Sequence, residues 1–274
     1  MPKGFESLPI AARPPKPRER GLVVTIDWGL GLAEQADLLR VAGEYIDLAK
    51  IAVGVSRLLD AGLLREKIAL YQQHAVVAFP GGQFLEYALA QGATDTFLAE
   101  AGVAGYEAIE VSDNLIEISL DDKTALIARA VQEFGLRVLG EAGKKEGLAH
   151  TVPLVDDARA CLDAGAWKVM LEAADVFPAG QEPQAAVQDL LAQGLQPAEA
   201  IFELPGHWIP GTTYADPPRI YRQLLDAVGP EVNVANVLPD RVIEYETIRC
   251  GIGINAASGA VIRPPGPYNP IADS

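Results

Sequence analysis

Eight short apolar runs punctuate the 274-residue chain, and their spacing limits the possible folds more than any other feature. They start near Leu22, Ile46, Val76, Glu107, Arg137, Trp167, Ala200 and Val232, between 24 and 33 residues apart. That interval is the length of one strand, one helix and their connections. Between the runs, apolar residues recur at helical spacing: Leu38, Leu39 and Ala42; Leu58, Leu59 and Leu63; Leu126, Ile127, Ala130 and Val131. Thr151 and Asp216 are expected as helix N-caps, with Pro153 and Pro217 in the first turns behind them. Eight buried strands alternating with eight helices predict an α/β chain closed as a single (β/α)8 TIM barrel. An open doubly wound sheet is the competing architecture. Against it, Gly29 and Gly31 match two glycines of a dinucleotide fingerprint, but Glu34 stands where the third should be. Gly143-Lys144-Lys145 likewise lacks the upstream glycine and the Ser/Thr of a phosphate-binding Walker loop.

Pro9, Pro14, Pro15 and Pro17 near one end, and Pro264, Pro265, Pro267 and Pro270 near the other, predict extended arms at residues 1–20 and 255–274. No Gly/Ser linker interrupts the intervening 21–254, which is expected to form one barrel. Acidic residues outnumber basic ones 37 to 22, a formal charge of −15, which disfavours nucleic acid and anionic membrane surfaces as partners. Cys161 and Cys250 are the only cysteines, so neither a disulfide framework nor a zinc knuckle is available. With no apolar signal core and no run of about 18 apolar residues, the expectation is a cytoplasmic protein. A homo-oligomeric state accompanies it.

A barrel gathers its chemistry at the C-terminal ends of the strands. Those ends supply Asp27, Lys50, Pro80-Gly81-Gly82, Glu110 with Ser112 and Asp113, Glu141 with Lys144 and Lys145, Glu172, Glu203 and Asn236. Glu110, Glu141, Glu172 and Glu203 lie 31 residues apart, each closing an apolar stretch. Four successive strands therefore bring a carboxylate to one level of the mouth. Like charges in a low-dielectric site ionise together only if cations compensate them. Lys50, Lys144, Lys145 and a divalent metal are the candidates, and an all-oxygen donor set selects Mg²⁺ over zinc. Such an ion polarises a carboxylate or enolate oxygen while a lysine moves a proton. Taken one at a time, these glutamates are equally well read as outward-facing or helix-capping residues in structural ion pairs. Four at one register make that plainer reading the weaker one. His74, His150 and His207 have no partners at useful spacing, and no G-x-S-x-G elbow supports a serine nucleophile.

Several blocks resemble the phosphosulfolactate synthase family: Gly21 through Asp27, Tyr45-Ile-Asp-Leu-Ala-Lys50, Pro80-Gly-Gly82, Ala108-Ile-Glu-Val-Ser-Asp113, Glu141-Ala-Gly-Lys-Lys145, Phe202-Glu203, Val232-Asn-Val-Ala-Asn236 and Glu246-Thr-Ile-Arg249. The resemblance implies a (β/α)8 barrel, Mg²⁺ dependence, and addition of sulfite to phosphoenolpyruvate on the route to coenzyme M. It also implies a proton donor within the Gly-Lys-Lys block, Lys144 or Lys145. The family includes plant heat-stress-associated proteins, which leave open a non-catalytic role in stress tolerance or protein interaction. On this basis Lys144, Lys145 and Glu110 are expected to be catalytic, and Glu141, Glu172 and Glu203 to bind metal. Asp27, Trp28, Lys50, Gly81, Gly82, Ser112, Asp113 and Asn236 are expected to bind a small carboxylic acid substrate. The chain also departs from the family pattern. Trp28 stands for a lysine, Ala174 for an arginine, and Pro205-Gly-His-Trp-Ile-Pro-Gly-Thr-Thr-Tyr214 for a Pro-x-Lys-x-Gln-Gln segment. A phosphate and a sulfonate together need Arg or Lys forks. Their loss beside incoming aromatics predicts an altered, less phosphorylated ligand.

Overall fold

A computed structural model describes residues 3–11, 13–144, 152–177 and 182–252. All eight expected strands are present: β1 (Val23–Asp27), β2 (Leu48–Ile51), β3 (Val77–Pro80), β4 (Ala108–Val111), β5 (Arg137–Ala142), β6 (Lys168–Leu171), β7 (Ala200–Glu203) and β8 (Val234–Val237). The helices between them are α1 (Leu32–Ala42), α2 (Val55–Leu58), α3 (Ala61–Gln73), α4 (Gly82–Ala90), α5 (Thr94–Ala104), α6 (Leu120–Gln132), α7 (Leu154–Asp163), α8 (Ala173–Val176), α9 (Pro183–Ala192), α10 (Asp216–Val228) and α11 (Val242–Arg249). All pairings are parallel, in the order β3-β2-β1-β8-β7-β6-β5-β4. The two strands left at the ends of that order, β3 and β4, pack side by side and bring the ring almost to closure. Side chains bridge this seam. Glu110 accepts from the Gly82 amide at 2.7 Å, and Ser112 donates to Glu86 on α4.

Strand periodicity determines what fills the barrel. Side chains alternate between the inside of the ring and the helical layer. Val24, Leu48, Phe79, Ala108, Leu139, Met170 and Ile201 form a dry internal plug, while Ile109, Val111, Val138, Val169 and Leu171 pack outward with the helices. Two residues beyond Leu48, Ala108, Leu139, Met170 and Ile201 stand Lys50, Glu110, Glu141, Glu172 and Glu203. The charged layer is thus the next inward-facing tier above the plug.

Two cap expectations are corrected. Pro153, rather than a first-turn residue, is itself the cap of α7, and Thr151 lies outside the described residues. Asp216 is the first helical residue of α10, with Ala215 as the cap. Its carboxylate reaches back to the Thr213 amide and hydroxyl, both at 2.7 Å, because Pro217 and Pro218 offer it no amide further on. The N-terminal segment contains no helix or strand among its described residues and is tied to the strand-entry end of the barrel. Arg18 pairs with buried Asp47 at 2.9 Å, Arg13 with Glu246 on α11 at 3.2 Å, and Lys16 donates to the Gly43, His74 and Ala75 carbonyls. The expected C-terminal arm, 255–274, lies outside the described residues.

Candidate active site

A cavity of about 180 Å³ opens at the C-terminal mouth, directly above the apolar plug. Lys50, Glu110, Glu141, Glu172 and Glu203 form its floor, and Trp28, Gln83, Trp208 and Asn236 its rim. Lys50 donates to Glu110 at 2.9 Å and to Glu203 at 2.8 Å. One carboxylate oxygen each from Glu110, Glu141 and Glu203 falls within 4.8 Å of the others. Asn114 donates to Glu141, and Glu172 caps α8, accepting from the Ala174 amide at 3.4 Å.

Burial makes these charges interdependent. Desolvation works to lower the Lys50 pKa, but Glu110, Glu203 and Glu141 outweigh it and hold the ammonium above the usual lysine range. Desolvation works to raise Glu110; Lys50 outweighs it, helped by hydrogen bonds from Glu141, Lys50 and the Gly82 amide, so this carboxylate stays ionised. Glu141 takes the opposite course. Burial, then the charges of Glu203, Glu110 and Glu172, push it well above the normal carboxylate range. The cause is charge imbalance: a single lysine does not offset three adjacent carboxylates, so the site favours a proton on Glu141. A divalent cation would balance them in place of that proton. Three buried oxygen donors around one point suit Mg²⁺, so the residues fit the ion that the resemblance implies.

The glycines of the Pro80-Gly81-Gly82 turn are required by close approach rather than by an open anion nest. A Cβ on Gly82 would sit 2.3 Å from the Ser112 hydroxyl oxygen, and one on Gly81 2.9 Å from the Val53 amide nitrogen. The Gly82 amide is already given to Glu110.

Of the expected site residues, Trp28, Lys50, Gly81, Gly82, Glu110, Glu141, Glu172, Glu203 and Asn236 line this cavity. Asp27, Ser112, Asp113 and Lys144 do not. Asp27 is fully buried beneath the β1–α1 loop, where it accepts from the Gly29 and Leu30 amides at 2.8 and 2.7 Å and pairs with Lys67 at 2.8 Å. It shapes the loop that presents Trp28. Ser112 is spent on Glu86, and Asp113 lies between Lys123, at 3.1 Å, and Lys144. Lys144 is held there by the Asp113 carboxylate and carbonyl. Lys145 and His150 lie outside the described residues. Within the expected metal set, Glu141 and Glu203 do converge, but Glu110 joins them in place of Glu172. The sequence left Gln83 and Asn114 unassigned and gave Trp208 only as one of the incoming aromatics of the 205–214 loop. Gln83 and Asn114 directly follow the Pro-Gly-Gly and Ser-Asp blocks, and their strand-end position was the available signal.

The family model described as (2R)-phospho-3-sulfolactate synthase (ComA) matches residues 11–254. The phosphosulfolactate synthase of Methanocaldococcus jannaschii is 33% identical over 246 residues, covering 85% of this chain and 92% of that protein. Its Bacillus subtilis counterpart is 30% identical over 260 residues, covering 90% and 96%. Protein HEAT-STRESS-ASSOCIATED 32 of Arabidopsis thaliana is 23% identical over 193 residues, covering 60% and 67%. Among solved structures, the YdjI aldolase of Escherichia coli K12 superposes with a TM-score of 0.52 at 13% identity, over 80% of this chain and 75% of that one, a likeness of fold alone. With the match running through every strand that carries the carboxylate tier, the chain belongs to the (2R)-phospho-3-sulfolactate synthase family.

Proposed function

We propose that this chain is a lyase-type enzyme that adds a nucleophile to, or eliminates it from, an enol or alkene carboxylic acid, with a substrate less phosphorylated than phosphoenolpyruvate. The convergence of Lys50, Glu110, Glu141 and Glu203 in one mouth cavity carries the reading. Glu110, Glu141 and Glu203 would hold Mg²⁺, which when bound supplies Lewis-acid polarisation of a substrate oxygen. Lys50 uses two of its three N–H donors on glutamates, leaving the third for an anionic substrate oxygen. Asn114 orients Glu141 from the side. Lys144 or Lys145 would be the proton donor implied by the resemblance, and Asp113 holds the Lys144 ammonium. The reduced phosphate preference rests on Trp28 and Ala174, which stand where the family carries a lysine and an arginine, and on the replaced loop 205–214.

Two measurements test this. Mg²⁺ at millimolar concentration should raise the melting temperature in a concentration-dependent manner, and Glu203→Gln should shrink the effect. Incubation with phosphoenolpyruvate, sulfite and Mg²⁺, followed by mass spectrometry, should show little or no phosphosulfolactate. Each lost charge-assisted contact costs about 1.5–3 kcal/mol, so two weaken binding roughly a hundredfold or more. Efficient turnover would show that other groups hold the phosphate. The missing cations, together with the likeness to the plant protein, favour a non-catalytic barrel as the second reading. Absence of any Mg²⁺ stabilisation would select it.

A further inference from the structure

The loops after β7 and β8 enclose a second cavity of about 190 Å³. Trp208 and Asn236 line both it and the carboxylate cavity, so the two are compartments of one mouth. The dividing indole is held by the chain itself. A Cβ on Gly206 would meet the Trp208 ring at 2.2–2.4 Å, so the ring fills the space any other residue there would need. Trp28 and His207 flank it, with ring centroids at 5.9 and 5.1 Å.

Beyond Trp208 the walls include Pro205, Pro217, Tyr214, Leu238 and Tyr245. Arg241 is the one Lys or Arg among the described lining residues. Its guanidinium stacks on Tyr214, 3.9 Å from the ring centroid, and pairs with Glu244 at 2.5 Å. At the rim, Thr213 is bonded to the Asp216 carboxylate at 2.7 Å, which adds negative charge. A phosphate dianion is normally held by several cationic donors, and among the described lining residues Arg241, its charge balanced by Glu244, is the single Lys or Arg. A flat uncharged ring needs apolar and π surface, which is what surrounds the space. The volume exceeds the roughly 150 Å³ of an apolar cavity known to accept benzene.

We propose that this second compartment is the specificity subsite for the distal part of the substrate and that it takes an uncharged aromatic ring. The assignment rests on the lyase reading only for what occupies the first compartment. Acrylate and trans-cinnamate share one enoic acid and differ by a phenyl ring, and so serve as probes. In calorimetric titrations of the full chain with Mg²⁺ present, cinnamate should bind at least tenfold more tightly than acrylate. Phenol should also bind saturably and quench tryptophan fluorescence. Leu238→Trp, which fills the second compartment, should bring the cinnamate-to-acrylate ratio close to one and abolish phenol binding. Tyr214→Ala, at an exposed position, should weaken both aromatic probes severalfold, and serves if Leu238→Trp does not fold. Equal affinities for acrylate and cinnamate would overturn the subsite, as would displacement of cinnamate by millimolar inorganic phosphate. If phenol binds and is lost in Leu238→Trp, while acrylate does not bind and Mg²⁺ gives no stabilisation, the subsite stands and the lyase reading falls.

Discussion

Lys50 is buried at the floor of the mouth cavity, where it donates to both Glu110 and Glu203, and its charge is what holds Glu110 ionised against desolvation. Replacing it by methionine keeps the volume and removes the charge. A buried ion pair broken from one side costs about 3–5 kcal/mol. Lys50→Met should therefore lower stability by about that amount at pH 7 in urea unfolding, and Lys50→Arg by less. A second residue-scale effect concerns Cys161, on α7. Burial raises its thiol to about 12, only partly offset by Lys123. The thiolate is the reactive form, so at pH 8 the native protein should release no thionitrobenzoate from Cys161, and the second equivalent should appear only on denaturation. The sign of the linkage follows from the same shift. Between the unfolded thiol value of about 8.5 and the folded value, the native state holds more protons, so stability falls as pH rises. Cys161→Ala should flatten that alkaline decline, as read from denaturation midpoints between pH 8 and pH 11.

At the scale of elements, the loops after β4 and β5 are held by a buried ion network rather than by the site they border. Lys123 on α6 is 1 % exposed and bonds Asp113 at 3.1 Å and Asp157 on α7 at 3.0 Å. Asp157 accepts in turn from the Gly143 amide at 3.3 Å, and Asp113 holds Lys144. One lysine thus ties two helices to two strand-end loops. Lys123→Met would leave two buried carboxylates without it. The expected result is a loss of about 3–5 kcal/mol in global stability, with faster amide exchange at Gly143 and Lys144, just after β5, than in the other loops of the mouth. Protection unchanged at these two residues would show that the network does not position them.

Across the whole molecule, the N-terminal segment links the first and last parts of the barrel. Arg18 and Arg13 connect Asp47, just before β2, with Glu246 on α11. Arg18→Met removes the closer partner of Asp47 while Arg13 remains 3.9 Å away. The expected cost is about 1.5–3 kcal/mol, the range for a hydrogen bond to a charged group, measured by thermal or urea unfolding with a single transition retained. The described helices include none long and apolar enough to cross a membrane.

The strand–helix period determined a parallel α/β sheet, because each apolar run of four to six residues is buried on both faces, whereas closure of the ring where β3 meets β4 was decided by tertiary structure. The 31-residue spacing of the glutamates likewise determined their common tier, since side chains alternate strictly along a strand and each glutamate follows an inward plug residue by two. Residues beyond the strand ends were not determined in this way. Asp27, Ser112, Asp113 and Lys144 look as polar in sequence as Lys50 and Glu203, yet they turn to Lys67, Glu86, Lys123 and one another. Loop conformation and helix partners decide that, and both are contacts across 26 to 40 residues of chain or more locally across a turn. The raised proton affinity of Glu141, the grouping of Glu110 rather than Glu172 with the metal donors, and the placing of Trp208 between two compartments also came from tertiary structure alone. Charge coupling and cavity shape depend on distances between strands, which a linear sequence does not carry.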